Sequence, residues 1–311
     1  MDADYLTPEQ VGVRRGNNRN SLCFVHSNAR SARNKEEEIL ALHASFGFDP
    51  DVLMITEPWY QNGLEVLKSP GYTTYFLNRA SQRGGGVLLM IENTINCSIV
   101  ESRSAITCDY EILTVQYGNT VFCVLYRPPN GNHRTFMSFL DDYLGWINDC
   151  NHQLILGGDL NIDLLTIASL QTELCRCLMS NGFRNVINAA TRVCGTSATL
   201  IDVFITNIID SNLRSGIVIA AISDHLLIFI VVKNLYTTPV TQNIPINIRD
   251  INARSLEIFR LEIMGTYWSE VRQITDPEIA YDCFYEKFKT VYDRCFPYKT
   301  IKRALNEKNP G

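Results

Sequence analysis

Asp159 and Asn161 stand two residues apart at the end of Leu154-Ile155-Leu156-Gly157-Gly158, an apolar run that closes in two glycines. The run reads as a central strand entering a tight turn. Residues at i and i+2 of an extended segment share a face, so the acid and the amide are expected to face one site together. A carboxylate takes a proton from water or holds a cation. A carboxamide hydrogen-bonds a phosphate oxygen or orients water without adding charge. The plainer alternative is a capped turn, because Asp and Asn are common turn formers.

Groups of the same kind recur at other strand ends. Leu22 to His26 delivers Asn28, and Asp51 to Thr56 delivers Glu57, where Pro58 cannot extend a ladder. Val121 to Tyr126 breaks at Arg127-Pro128-Pro129-Asn130, and Asp224-His225 precedes the last strand. Asp202 lies within Leu200-Ile201-Asp202-Val203-Phe204, where an unpaired buried acid would be costly. Taken singly, His225 could be a satisfied polar residue, Glu57 a strand cap and Tyr126 a core aromatic with its hydroxyl at the rim. Taken together, side chains from separate strand tips converge on one cleft held by a rigid sheet edge.

The elements that must position these groups follow from periodicity. Further strands are predicted at Tyr72 to Leu77, Val87 to Ile91, Glu111 to Tyr117, Ala198 to Thr206, Gly216 to Ala221 and Leu226 to Val232. Helical spacing is predicted over Lys35 to Phe46, Thr135 to Trp146 and Leu170 to Leu178. The loop from Asn78 to Gly86 is basic and glycine-rich, a candidate phosphate cradle without the Lys and Ser/Thr of a Walker-type loop. Many strands with few helices imply an α/β fold of two packed sheets flanked by helices, rather than a doubly wound parallel sheet. Residues 1–20 read as a flexible leader, residues 21–233 as the main domain, and residues 234–311 as a linker followed by helices at Leu256 to Met264 and Ala280 to Val291. The closing Lys308-Asn309-Pro310-Gly311 reads as a truncated end.

Composition bounds the partners. Of 311 residues, 46% are hydrophobic and 20% charged, which fits a chain with a substantial core rather than a disordered one. A net charge of -5 argues against a whole-surface electrostatic grip on nucleic acid, while leaving room for a local basic patch or a metal-bridged phosphate. No stretch supplies the roughly 18 consecutive apolar residues of a membrane span, and no apolar leader suggests export. The ten cysteines are therefore read as reduced and mostly buried.

The ordered set Asn28, Glu57-Pro58-Trp59, Tyr126-Arg127-Pro128-Pro129, Gly158-Asp159-Leu160-Asn161, Leu200-Ile201-Asp202 and Ser223-Asp224-His225 resembles the endonuclease/exonuclease/phosphatase superfamily. Within it, Asn-Ala-Arg-Ser, Thr-Glu-Pro-Trp, Gly-Gly-Gly-Val, Tyr-Arg-Pro-Pro and Thr-Leu-Ile-Asp are similar to the apurinic-type endonuclease domain of non-LTR (LINE-like) retrotransposon polyproteins. The resemblance implies a four-layered α/β sandwich of the DNase I-like kind over residues 21–233. It also implies a C-terminal helical connector preceding a reverse transcriptase, and action in the nucleus on DNA. By position, it makes Glu57 the main metal ligand, with Asn28 and Asp224 assisting, and magnesium, or manganese, the cofactor. Asp159 with Asn161 would activate water. His225, steadied by Asp202, would meet the scissile phosphate, and Tyr126 would bind phosphate or the leaving oxygen. Asn28, Arg127, Asn130 and Thr199 would contact substrate. Two departures stand out: Pro129 occupies the place of an asparagine three residues after the tyrosine, and Thr191, Thr196 and Thr199 compete for the phosphate-binding threonine, with Thr199 preferred. Two other readings of the same residues are a repair nuclease or phosphoesterase and a co-opted nucleic-acid-binding remnant without catalysis.

Overall fold

Alternation along Ser21–Asn28 sends Phe24 to one side of a sheet and Cys23 and Val25 to the other, all buried. The same period-2 split runs through Val52–Thr56, where Val52 and Met54 part from Leu53 and Ile55, and through Val87–Glu92. Strands apolar on both faces need cover on both faces, and the computed structural model supplies it. It describes residues 5–15, 21–32, 35–60, 66–80, 84–220, 223–233, 235 and 243–304.

Two mixed sheets pack face to face. In the first, the order is Tyr5–Leu6, Leu213–Val218, Leu227–Lys233, Ser21–Asn28, Val52–Thr56, Val87–Glu92 and Tyr72–Leu77. The second runs Arg184–Asn185, Asp202–Thr206, Gln153–Asp159, Thr120–Tyr126, Glu111–Tyr117 and Ser98–Ile99. Phe24 of the first meets Phe122 of the second edge to face at 4.9 Å. The helix Glu36–Ala44 covers the outer face of the first sheet through Ile39, while His133–Asp149 and Ser169–Ser180 cover the second through Phe136, Leu140, Tyr143 and Leu174. This is the four-layered sandwich expected from the sequence.

Gly157 and Gly158 are required by close approach. A Cβ at Gly157 would sit 2.5 Å from Met54 Sδ on the opposite sheet, and one at Gly158 would overlap the Leu125 carbonyl next door. The strand that ends in Asp159 is therefore pressed between its neighbours and fixed in register.

Several expectations need correction. Residues 5–15 of the leader form a strand parallel to Ile217–Val218 and a helix, Pro8–Arg15, with Val11 fully buried. The long strand expected from Ala198 to Thr206 divides into Ser197–Thr199, a hairpin arm paired with Arg192–Cys194, and Asp202–Thr206. Leu200 and Ile201 break the run because their carbonyls accept from Leu164 and Leu160 of the loop after Asp159. Four of the ten cysteines are buried, rather than most, and all ten are free. Residues 236–242 of the expected linker lie outside the described residues, as do residues 81–83 of the basic loop. Beyond them come the helices Ala253–Gly265, Ser269–Gln273 and Pro277–Cys295, and a pair of strands, Asn243–Arg249 and Tyr298–Ala304. Among the described residues, no helix is long and apolar enough to cross a membrane.

Candidate active site

Strand register sets the site. Asp159 is the Cα partner of Asp202 on one side and of Tyr126 on the other, and Tyr126 is the partner of Glu111. Four polar residues thus form one row across the end of the second sheet. On the first sheet, Asn28 pairs with Thr56, immediately before Glu57. Face-to-face packing brings the two rows together. Asn28 Nδ2 donates to Asp159 Oδ2 at 2.7 Å and to Glu57 Oε1 at 2.9 Å, so one amide joins carboxylates from both sheets.

Glu57 adopts φ +53°, a left-handed conformation that is costly for a residue with a side chain. Its loop is held from both sides: Ser31 N–H donates to the Glu57 carbonyl, and Glu57 N–H donates to the Gly86 carbonyl. The turn aims the partly exposed carboxylate across the site, where Trp59 Nε1 donates to Oε2 at 3.0 Å.

His225 Nδ1 lies 2.9 Å from Asp202 Oδ2, and Ser223 Oγ ties this loop to the first sheet by donating to the Asn28 carbonyl. Burial works against charge on His225, but the Asp202 hydrogen bond and the anions Asp202, Asp159 and Asp224 outweigh it and raise its proton affinity. Burial, then the Asp202 charge, push the Asp159 carboxyl up to about 8, against the pull of His225, the Asn161 N–H and the Asn28 amide. Burial, with Glu57 and Asp159 beside it, likewise keeps the Tyr126 hydroxyl protonated, and it hydrogen-bonds Glu57. The arrangement supplies a proton acceptor, an imidazole held by a carboxylate, and a neutral phenol within one buried cluster.

The donor set fits a divalent cation. Asp159, Asp202 and His225 each offer a ligand atom within 4.8 Å of the others, and Glu57 extends the same negative cluster toward solvent. Because Asp202 and His225 are hydrogen-bonded to each other, the carboxylates of Asp159 and Glu57, joined through the Asn28 amide, are the hard oxygen donors that suit such an ion.

Not every expected residue joins the cluster. Asn161, after the strand has ended, sits at φ +48°, so alternation does not apply to it. Its backbone N–H donates to Asp159 Oδ1 at 2.9 Å and its side-chain amide to the Arg127 carbonyl at 2.8 Å. Arg127 is 4% exposed, donates to the Gly131 carbonyl and lies over the Phe136 ring, so its guanidinium is part of the loop scaffold. Both oxygens of Asp224 are engaged, by Arg30 Nη1 at 2.7 and 2.8 Å and by Arg192 Nε at 2.8 Å. Burial alone would raise its pKa, but the two arginines pull it down to about 2. Thr199 lies in the hairpin, whereas the fully buried Thr191 accepts from the N–H groups of Ile201 and Asp202. Asn130 is exposed beside Pro128 and Pro129.

Sequence reasoning missed five contributors. His26, fully buried, hydrogen-bonds Thr56 at 3.1 Å and brings Nδ1 to 3.7 Å from Asp202; burial, opposed by Asp202, lowers its pKa to about 4. Glu111, the cross-strand partner of Tyr126, pairs with Arg79, and Arg30 and Arg192 clamp Asp224. His26 precedes Asn28 by two in an extended strand, a spacing that could have flagged it.

Residues 20–225 match the Endonuclease/Exonuclease/phosphatase family. The chain belongs to that family. Solved structures share its fold at low identity. The endonuclease domain of TRAS1, a telomere-specific non-LTR retrotransposon, aligns with TM-score 0.55 and 11% identity over 69% of this chain and 100% of that one. An AP endonuclease from Leishmania major gives 0.55 and 13% over 69% of this chain and 88% of its own. One from Archaeoglobus fulgidus gives 0.52 and 13% over 69% and 100%. No curated protein sequence matches. Members of this family are nucleases and phosphoesterases, which are hydrolytic enzymes.

Proposed function

We propose that this chain is a magnesium-dependent endonuclease that nicks DNA, leaving a 3′ hydroxyl from which a reverse transcriptase encoded downstream primes synthesis. The observation that carries the reading is the double hydrogen bond of Asn28 to Glu57 and Asp159, which joins the two sheet ends into one acidic site beside His225. Manganese would serve in place of magnesium. Glu57, with Asn28 and Asp159 adjoining, would hold the ion, which when bound supplies charge neutralisation at the phosphate. Asp159 accepts the proton of the attacking water, a task suited to a carboxylate whose proton affinity burial has raised. Asp202 takes one ring nitrogen of His225, leaving the other to meet a phosphate oxygen as a cationic donor. The protonated Tyr126 hydroxyl faces the same phosphate. The similarity to a retrotransposon endonuclease domain supports the biological setting, and action on chromosomal DNA makes the nucleus the site of work.

The test is relaxation of supercoiled plasmid in magnesium. Wild type is expected to accumulate open circles, and Asp159→Ala and His225→Ala to lose that product. Equal nicking by all three proteins would refute the assignment. Comparing plasmid with abasic duplex and small phosphomonoesters distinguishes an endonuclease from a repair enzyme or phosphatase.

A further inference from the structure

The C-terminal helix Pro277–Cys295 buries only its far end, where Val291, Cys295 and the following Phe296 form a small core. Its first half leaves aromatic side chains uncovered. Tyr281 is 62% exposed, Phe284 40% and Tyr285 45%, and Tyr267, in the connection before Ser269–Gln273, is 72% exposed. These rings are neighbours: Tyr281 and Tyr285 stack at 6.1 Å, and Phe284 meets Trp268, the residue after Tyr267, at 5.4 Å. At about 150–250 Å² per aromatic side chain, the exposed fractions amount to roughly 440 Å² of uncovered surface. Contiguous apolar surface on that scale is where interaction sites stand out. A standard interface takes about 800 Å² from each partner, a little over half of it non-polar, so the patch has the size of one side of such a contact.

Charge narrows the partner. Glu278, Tyr281, Asp282, Tyr285 and Lys289 recur at helical spacing and form one stripe. Glu278 and Asp282 are exposed at its start, and Lys289 lies over the Tyr285 ring at 5.9 Å toward its end. Asp293, one turn farther, is already paired with Arg249. The stripe therefore runs from acidic through aromatic to basic. An acidic partner would be repelled at one end and a basic partner at the other, whereas the same stripe laid antiparallel matches both ends. We infer that this face pairs with a second copy of the chain, the two Pro277–Cys295 helices antiparallel about a two-fold axis beside Tyr285, so that Asp282 of each copy faces Lys289 of the other. Such an isologous contact closes on itself and gives a dimer, not a filament. The pairing is separate from the strand-end chemistry, whose row of Asp202, Asp159, Tyr126 and Glu111 lies in the second sheet.

The experiment is sedimentation equilibrium of the full chain up to about 100 μM, well into the range where contacts of standard size associate. The mass is expected to reach twice the 35.3 kDa of one chain. Tyr281→Ala and Tyr285→Ala, with folding checked by thermal unfolding, should each weaken association about thirtyfold, the scale of an interface hot spot. Asp282→Lys brings cations together across the axis and Lys289→Asp brings acids together, so each alone should weaken association by about tenfold or more. An equimolar mixture of those two variants should associate as tightly as wild type, because every altered charge then meets its opposite. A monomer at every concentration would assign the face to a different partner and overturn the inference. So would a dimer indifferent to both tyrosine variants, or a mixture of the charge variants that regains no association.

Discussion

His225 depends on Asp202 for both its orientation and its charge. The Nδ1 contact at 2.9 Å fixes which nitrogen points away from Asp202, and the buried anion raises the ring's proton affinity against burial. Asp202→Asn keeps the shape and removes the charge. Because the folded pKa of His225 is raised, its cationic form is present at lower pH and is lost as pH rises through that pKa. Removing the anion should therefore move the alkaline limb of kcat to lower pH and reduce kcat on the order of 10²- to 10⁴-fold, with KM little changed. A pH-rate profile superimposable on wild type would contradict this role. The residues legible in the sequence were those at strand ends: Asn28, Glu57, Tyr126, Asp159, Asp202 and His225 all converge. Asn161 and Arg127 were harder to read because turns with positive φ and a buried loop, not strand alternation, aim them. The arginines on Asp224 and Glu111 were not legible, since Arg30 and Asp224 are 194 residues apart in sequence and only the fold pairs them.

The strand ending in Asp159 and the helices behind it show which small residues the fold cannot spare. Gly158→Ala would drive a methyl into the Leu125 carbonyl and should destabilise by about 3 kcal/mol, the upper end of overpacking costs. Gly145, within the helix His133–Asp149, faces open space, so Gly145→Ala should stabilise by roughly 0.5–1 kcal/mol. Urea unfolding of both variants measures the contrast. The helix Glu36–Ala44 carries a pH dependence of its own. His43 is 5% exposed with Nδ1 lacking a partner, and burial lowers its pKa from 6.5 to about 4. The folded state resists a proton that the unfolded chain accepts, so stability is full above about pH 6.5 and is lost as pH falls toward about 4. His43→Leu should remove up to about 3 kcal/mol of that loss, seen as a shallower fall of unfolding free energy from pH 7 to 4. Strong periodicity made the helices and inner strands readable. The leader escaped because its strand has two residues and gains its place only by pairing with Ile217 and Val218, more than 200 positions away.

Across the whole molecule, the two large cores are built from residues 11–235, whereas the C-terminal helices share a small cluster of Val291, Cys295 and Phe296. Among the described residues, the row of Asp202, Asp159, Tyr126 and Glu111 draws nothing from that segment. A chain ending at residue 235 is therefore expected to fold cooperatively and to retain nicking, and its insolubility or inactivity would show that the helices complete the domain. The sandwich was legible because two-faced apolar strands demand two layers of cover. The break at Leu200-Ile201 was not, because it is imposed by the loop after Asp159. The central claim, that Asp159 activates water for in-line cleavage of DNA, is tested most directly by the ends it leaves. Plasmid nicked in magnesium should be extended by an added DNA polymerase from a free 3′ hydroxyl, and Asp159→Asn should give neither nick nor extension. Undiminished nicking by Asp159→Asn, or nicks that no polymerase extends, would contradict it.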